Sequence, residues 1–247
     1  MSRDQVALPG ILNRGSVVGR VSPSRLFLAQ MPYRRTENVE RRLAARHAAI
    51  IAAARQAASE GGMVAVQIAA VARRAGIAAG TVYRYFPGKT DLIAAVLAEI
   101  SGREIAAVRR AADNAPGPLS ALACTIMSFA ARVLRDRRLA FAAIAEPVDA
   151  ELDPVRLKFR KALADEFATR VRAAISGGHL PEQDAALAGV ALLGLLVEGT
   201  IGPLAPLPPG RERELVQSLA LVALRALGLP DPRARGLVVQ TMIGDDC

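Results

Sequence analysis

Apolar residues return every three or four positions along most of this chain. Over 37–60, Leu43, His47, Ile50, Ile51 and Ala54 keep that interval and predict an amphipathic helix stopped by Gly61-Gly62. His47 falls on its packing side, with no His, Cys or acid four residues on to make a metal site. Val66, Ile68, Ala69, Val71, Ala72 and Ala75 then mark a helix of two to three turns. Gly76 ends it, in the place where a left-handed C′ residue suits glycine and Ile77 can fold back onto the apolar side. Residues 78–85 predict a second short helix. Ile77 and Val82 point inward, so Thr81, Tyr83, Arg84 and Tyr85 cannot all be buried.

Phe86-Pro87-Gly88 stops that helix, and a longer one opens at Lys89, running through Leu92, Ile93, Val96, Leu97 and Ile100 to about Ala112. Pro116-Gly117-Pro118 breaks the pattern. Five more helical stretches follow, over 119–134, 138–145, 154–176, 181–201 and 211–227, and no segment alternates with a convincing strand period. The predicted fold is all-α. A three-helix, helix-turn-helix DNA-binding domain (37–90) precedes a helical bundle (91–230), with a flexible basic arm (1–36) before it and a flexible tail (231–247) after it. The stretches 181–201 and 211–227 are apolar nearly all round, which one solvated face cannot accommodate.

Composition sharpens this picture where charge is divided along the chain. The net +9 splits into +3 over 1–30, +7 over 31–90 and −1 over 91–247. A basic module joined to a nearly neutral one fits a polyanion bound by the first. Aromatics are only 4% while alanine and leucine dominate, favouring helices over sheets. Cys124 and Cys247 are too few for a disulfide framework or a Cys₄ zinc site within one chain. No signal peptide is evident, and the longest apolar run, 185–197, is too short to span a bilayer. A cytoplasmic protein without metal or cofactor and without a membrane partner is expected.

The candidate chemistry lies around the Gly76 turn. A recognition helix presents its N-terminal residues to the major groove, and the hydroxyls of Thr81, Tyr83 and Tyr85 with the Arg84 guanidinium are donors for phosphates and base edges. Lys89 adds positive charge at a helix N-terminus, unfavourable alone but suited to a phosphate. Arg46 belongs to an arginine cluster, with Arg34, Arg35, Arg41 and Arg42, at the start of the first helix. The run Ile68-Ala-Ala-Val-Ala-Arg-Arg-Ala-Gly-Ile-Ala-Ala-Gly-Thr-Val-Tyr-Arg-Tyr-Phe-Pro-Gly-Lys-Thr-Asp-Leu92 resembles the signature of the tetracycline-repressor (TetR/AcrR) family, over roughly residues 40 to 95. That family often has serine where this chain has Ala78, and serine or asparagine where it has Gly88. Ala69, Ala78, Ala79 and Gly80 leave few long side chains to read bases, although Ala79 and Gly80 share the DNA-facing end.

The resemblance implies a homodimeric repressor bound to a double-stranded operator. In that family the last two long helices pair with those of a second subunit, placing Leu192, Leu193, Leu196, Leu219 and Val222 at the interface. It also implies a bundle that closes around a small apolar effector, for which Met127, Phe129, Phe141, Ile144, Glu146 and Phe159 are the candidate pocket, with Arg160 a second polar fixture. Two alternatives stay open: these residues are simply core, and the protein binds DNA without any small-molecule input. An enzyme is not expected. Gly88-Lys89-Thr90 matches the end of a phosphate-binding loop, but that motif requires a glycine where Tyr83 stands and a strand before it.

Overall fold

The computed structural model describes residues 37–147, 149–206 and 210–241; the proposed basic arm over 1–36, Arg34, Arg35 and Cys247 lie outside the described residues. The chain divides after Arg41 into two units, Met1–Arg41 and Arg42–Cys247. Of the first, the described part is 37–41, which is helical. The described residues are helical as expected, with no strand among them.

α1 (Glu37–Gly61) is followed by a 3₁₀ turn (Met63–Ala65), α2 (Ile68–Arg74), α3 (Ala79–Tyr83) and α4 (Lys89–Asp113). Ile50, Ala54 and Ala58 of α1, Val71 of α2, Val82 of α3 and Leu92 of α4 close into one fully buried cluster with Val66. Each aliphatic side chain of Val, Leu or Ile size removed from water there contributes roughly 1.5–3 kcal/mol. Phe86 closes the cluster beneath the α3–α4 turn.

α5 (Pro118–Arg135) starts with Pro118 in its first turn, where a missing N–H costs nothing. α6 (Arg137–Ile144) is capped by Asp136, whose side chain accepts from the Leu139 N–H at 3.0 Å. α7 (Asp153–Ser176), α8 (Ala185–Ile201) and α9 (Glu212–Ala226) complete the bundle, and Asp184 caps α8 through the N–H groups of Ala186 and Leu187. α5 is the central element, packed against α4, α7, α8 and α9. It is long and apolar enough to cross a bilayer by length and composition, and two thirds of it is buried against these neighbours. Phe129 of α5 meets Phe167 of α7 edge to face, with ring centroids 5.8 Å apart.

Two expectations are corrected here. Residues 231–240 are not a tail but a tenth helix, α10 (Asp231–Gln240), packed on α9 and α5 through buried Ala234 and Val238. Pro232 occupies its first turn, where proline is at home. Second, Leu192, Leu193 and Leu196 are 2%, 4% and 0% exposed within their own chain, so they cannot supply an interface with another. Gly189 sets this register: a Cβ there would collide with the Ala164 carbonyl and lie 2.9 Å from the Ala168 nitrogen of α7. Leucines three, four and seven residues after Gly189 must follow it onto the inner face. The outer face of α8 is also apolar, with Leu187 65% and Val190 60% exposed, beside Val222 of α9 at 51%. Leu219 is half-buried, its side chain filling the space over Gly199.

Candidate nucleic-acid interface and bundle cavity

The turn between α2 and α3 is built as the glycine spacing predicts. Gly76 has φ +67°, its N–H donates to the Arg73 carbonyl at 3.2 Å, and the Ile77 N–H reaches back to Ala72 at 3.0 Å. This doubly bonded left-handed cap fixes the angle at which α3 leaves α2. A bidentate pair from Arg74 to Glu60, at 2.8 and 2.6 Å, ties the end of α2 to the end of α1.

α3 then presents the expected face. Val82 is fully buried, while Tyr83 is 54% exposed, Arg84 and Gly80 are exposed, and Thr81, Ala79 and Tyr85 are half-buried. Ala78 occupies the N-cap without a side-chain hydrogen bond, leaving the first N–H groups of α3 open. The N-terminus of α4 is equally without a side-chain cap at Gly88, and Lys89 sits in that first turn. Arg46 is exposed on α1. Its neighbour His47 stacks near Phe86 and Tyr85, with centroids 5.1 and 6.2 Å away, bringing that turn of α1 beside the C-terminal end of α3. His47 is thus in ring packing, as its spacing predicts.

Gly80 lies inside α3, one residue from its start. A Cβ at Gly80 would meet nothing within 4 Å, and its φ is not left-handed. Nothing in the folded chain requires glycine there. A Gly80→Ala protein is expected to melt no lower than wild type, since alanine is favoured in a helix by up to about 1 kcal/mol. It is also expected to bind DNA less tightly, because the added methyl stands between α3 and the groove. Paired thermal melts and DNA titrations check this, and undiminished DNA affinity would remove Gly80 from the interface.

The bundle holds a small cavity of about 40 Å³ bounded by α4, α5, α6 and α7. Of the candidate pocket residues, Phe129, Ile144 and Phe159 line it, with Ile100, Val133 and Leu139. Met127 is buried but not on its wall, Phe141 lies half-buried under the Arg138 guanidinium, and Arg160 is exposed on α7. The polar lining is the Glu104–Arg132 pair, bonded twice at 2.7 and 2.8 Å, together with Asp136. The hydrogen bonds it donates to the Glu104 carboxylate hold the Arg132 guanidinium above its ordinary range against the opposing effect of burial.

Glu146 has a different place from the one expected. Its Oε2 accepts the Met63 N–H at 3.0 Å, and its Oε1 lies 3.6 Å from Arg138, which donates to the Gly61 carbonyl at 2.9 Å. Gly62, at φ +79°, passes directly beneath this pair. The Ser59 hydroxyl adds a bond to Asp136 at 2.6 Å. Sequence reasoning missed this junction between the α1–α2 corner and α6, because partners some 80 residues apart leave no periodic signal. The Gly61-Gly62 pair was its one visible trace.

Residues 50–96 match the model of the bacterial regulatory proteins, tetR family. The chain is 41% identical over 81 residues to the HTH-type transcriptional repressor KstR of Rhodococcus jostii (strain RHA1), a match covering 32% of this chain and 36% of that protein. It is 48% identical over 58 residues to KstR of Mycolicibacterium smegmatis (strain ATCC 700084 / mc(2)155), covering 24% and 26%. The chain thus spans about a third or less of the length of these relatives. Over the whole fold, the structure of RolR in complex with resorcinol superposes with TM-score 0.59 at 20% identity, covering 83% of this chain and 98% of that one. FadR from Bacillus subtilis in complex with stearoyl-CoA gives TM-score 0.59 at 23% identity, covering 79% and 99%. Those two likenesses concern the fold alone. The match to the tetR family of bacterial regulatory proteins thus lies in residues 50–96, the segment that holds α2, α3 and the start of α4.

Proposed function

We propose that this protein is a homodimeric, sequence-specific DNA-binding repressor, a binding protein and not an enzyme, released from its operator by a small, largely apolar effector and acting in the cytoplasm. The observation that carries the DNA-binding part is the face of α3 and its C-terminal end, on which Tyr83 and Arg84 are exposed and Thr81 and Tyr85 half-buried around buried Val82, in the segment holding most of the chain's positive charge. Ala79 and Gly80 allow close approach; Lys89 and Arg46 take phosphates. With one recognition helix per chain, two chains span successive major grooves, so the operator is near-palindromic with half-site centres roughly 34–36 Å apart.

The outer face of α8 and α9, with Leu187, Val190 and Val222, supports the dimer, since exposed apolar clusters of this kind mark contact surfaces. The cavity supports the effector, as do the ligands named for RolR and FadR, resorcinol and stearoyl-CoA. An effector must bind the two arrangements of the dimer unequally, because equal affinity shifts nothing. A second reading, repression without a small molecule, is favoured by the cavity's size, well below the roughly 150 Å³ of a cavity that binds benzene.

The test is DNA selection with the purified protein, followed by titration of the selected site at several salt concentrations. Lys89→Ala is expected to weaken binding to all sequences and to lower the salt slope by about one unit. Unchanged affinity and slope in a folded Lys89→Ala protein would remove Lys89 from the phosphate contacts, and failure to select any site would sink the repressor reading.

A further inference from the structure

Asp136 stands where three parts of the molecule meet. Its Oδ1 caps α6 by accepting the Leu139 N–H at 3.0 Å, and its Oδ2 accepts the Ser59 hydroxyl of α1 at 2.6 Å. The same residue lines the bundle cavity. α6 continues the theme, since Leu139, Ala140, Ala143 and Ile144 form one wall of that cavity. Either side of them, Arg138 and Glu146 hold Gly61 and Met63 at the end of α1. One eight-residue helix therefore has one side in the cavity and its polar groups on the DNA-binding head.

No organic molecule fits about 40 Å³ without moving a wall, since a cavity that binds benzene has about 150 Å³. α4, α5 and α7 have 25, 18 and 24 residues, and ion pairs bind them to one another: Arg132 to Glu104, and Arg109 to Glu166. α6, with eight residues, is the shortest wall, and it is held to α7 and α8 by single hydrogen bonds, from Arg156 to the Ala142 carbonyl and from Arg137 to the Thr200 carbonyl. Of the polar groups facing the cavity, Arg132 and Glu104 satisfy each other through two bonds. Asp136 is the acceptor with an exchangeable partner, because its Oδ1 holds the Leu139 N–H that caps α6 itself whereas its Oδ2 holds a hydroxyl from another helix, that of Ser59.

We propose that the cavity takes an aromatic or other apolar molecule bearing a hydroxyl, and that this hydroxyl donates to Asp136 as α6 shifts and Ser59 is released. The proposal rests on the effector reading above and names its ligand class. Asp136 keeps its number of hydrogen bonds through the exchange, while the corner of α1 and the 3₁₀ turn loses one of the three, from Ser59, Gly61 and Met63, that hold it to α6 and the residues flanking α6. The bond lost from the head is the differential interaction that a release mechanism requires. By reciprocity, weakening the Ser59 bond strengthens ligand binding by the same factor.

The experiment compares full-length wild type, Ser59→Ala and Asp136→Asn, titrated with phenol and with toluene, which has the same ring without the hydroxyl. Both variants are expected to fold, since asparagine caps a helix about as well as aspartate and alanine is the best helix former; melting curves establish it. Phenol is expected to bind wild type more tightly than toluene. Asp136→Asn is expected to lose about tenfold in phenol affinity with toluene unaffected, the scale of one hydrogen bond to a charged group. Ser59→Ala is expected to gain several-fold for phenol, with faster hydrogen exchange at the Met63 amide in the phenol-bound wild type. Equal affinity for the two probes, phenol affinity indifferent to Asp136→Asn and Ser59→Ala, or no binding of either probe at millimolar concentration would overturn the proposal. Operator binding by wild type without any probe is measured alongside. If it persists while phenol fails, the repressor stands and the hydroxyl assignment falls; binding of toluene alone keeps the effector and overturns its class.

Discussion

A protein carrying Leu187→Glu and Val190→Glu is expected to be monomeric and to lose most of its operator affinity while each chain keeps its fold. Both side chains are more than half exposed in the single chain, so the substitutions leave the buried face of α8 untouched. In a symmetric pair each carboxylate would be buried against apolar groups or against its own copy, at a cost of several kcal/mol. A dimer gains its second half-site as an intramolecular event, so its loss is expected to lower operator affinity by roughly 10² to 10⁴. Light scattering and a DNA titration on the same sample check both halves. A double variant that remains dimeric with wild-type affinity would show that the chains associate elsewhere. The matching change Leu192→Ala is expected to leave association alone and to cost stability instead, since Leu192 is 2% exposed.

The second large effect lies in the bundle. Phe129→Ala is expected to destabilise the fold by about 3–5 kcal/mol. Phe129 is fully buried, forms the edge-to-face pair with Phe167, and already borders the cavity between α4 and α7, so its removal joins a ring-sized hole to existing empty space. For a chain of this length that corresponds to a fall in melting temperature of roughly 6–20 °C. Denaturant unfolding monitored by circular dichroism gives the comparison. A cost below about 1 kcal/mol would mean the surrounding helices collapse freely onto the site, contrary to packing against three long helices.

Much of this architecture was legible because local chemistry and tertiary need agree at the turns. Gly76 followed by Ile77 signals a left-handed cap, and both of its hydrogen bonds are present. Pro87-Gly88-Lys89 marks the start of α4, and α7 ends at Ser176 where the apolar pattern stops. On α3 the split between buried Val82 and its polar neighbours follows directly from helical spacing. What stayed hidden was the choice between two equally apolar faces. α8 is apolar all round, and periodicity alone cannot say which leucines turn inward; the collision that a Cβ at Gly189 would cause with α7 decides it, and that requires a partner helix. Glu146 was misplaced for a related reason. A carboxylate after a helix end looks the same whether it faces a cavity or accepts a backbone N–H 83 residues away.

α4 has a consequence beyond geometry. It opens at Lys89 among residues of the DNA-binding head and runs unbroken to Asp113, with Leu92 and Val96 buried in one half and Ala107 and Val108 in the other. No exposed hinge peptide separates the two regions, so a protease has no place to cut that would release either one intact. Severing the helix midway would strip both pieces of a packing surface, and melting one half would unwind a turn that the other half needs. The chain from Arg42 onward is thus expected to open as a single cooperative unit, with amides of the small head exchanging as slowly as the larger bundle permits.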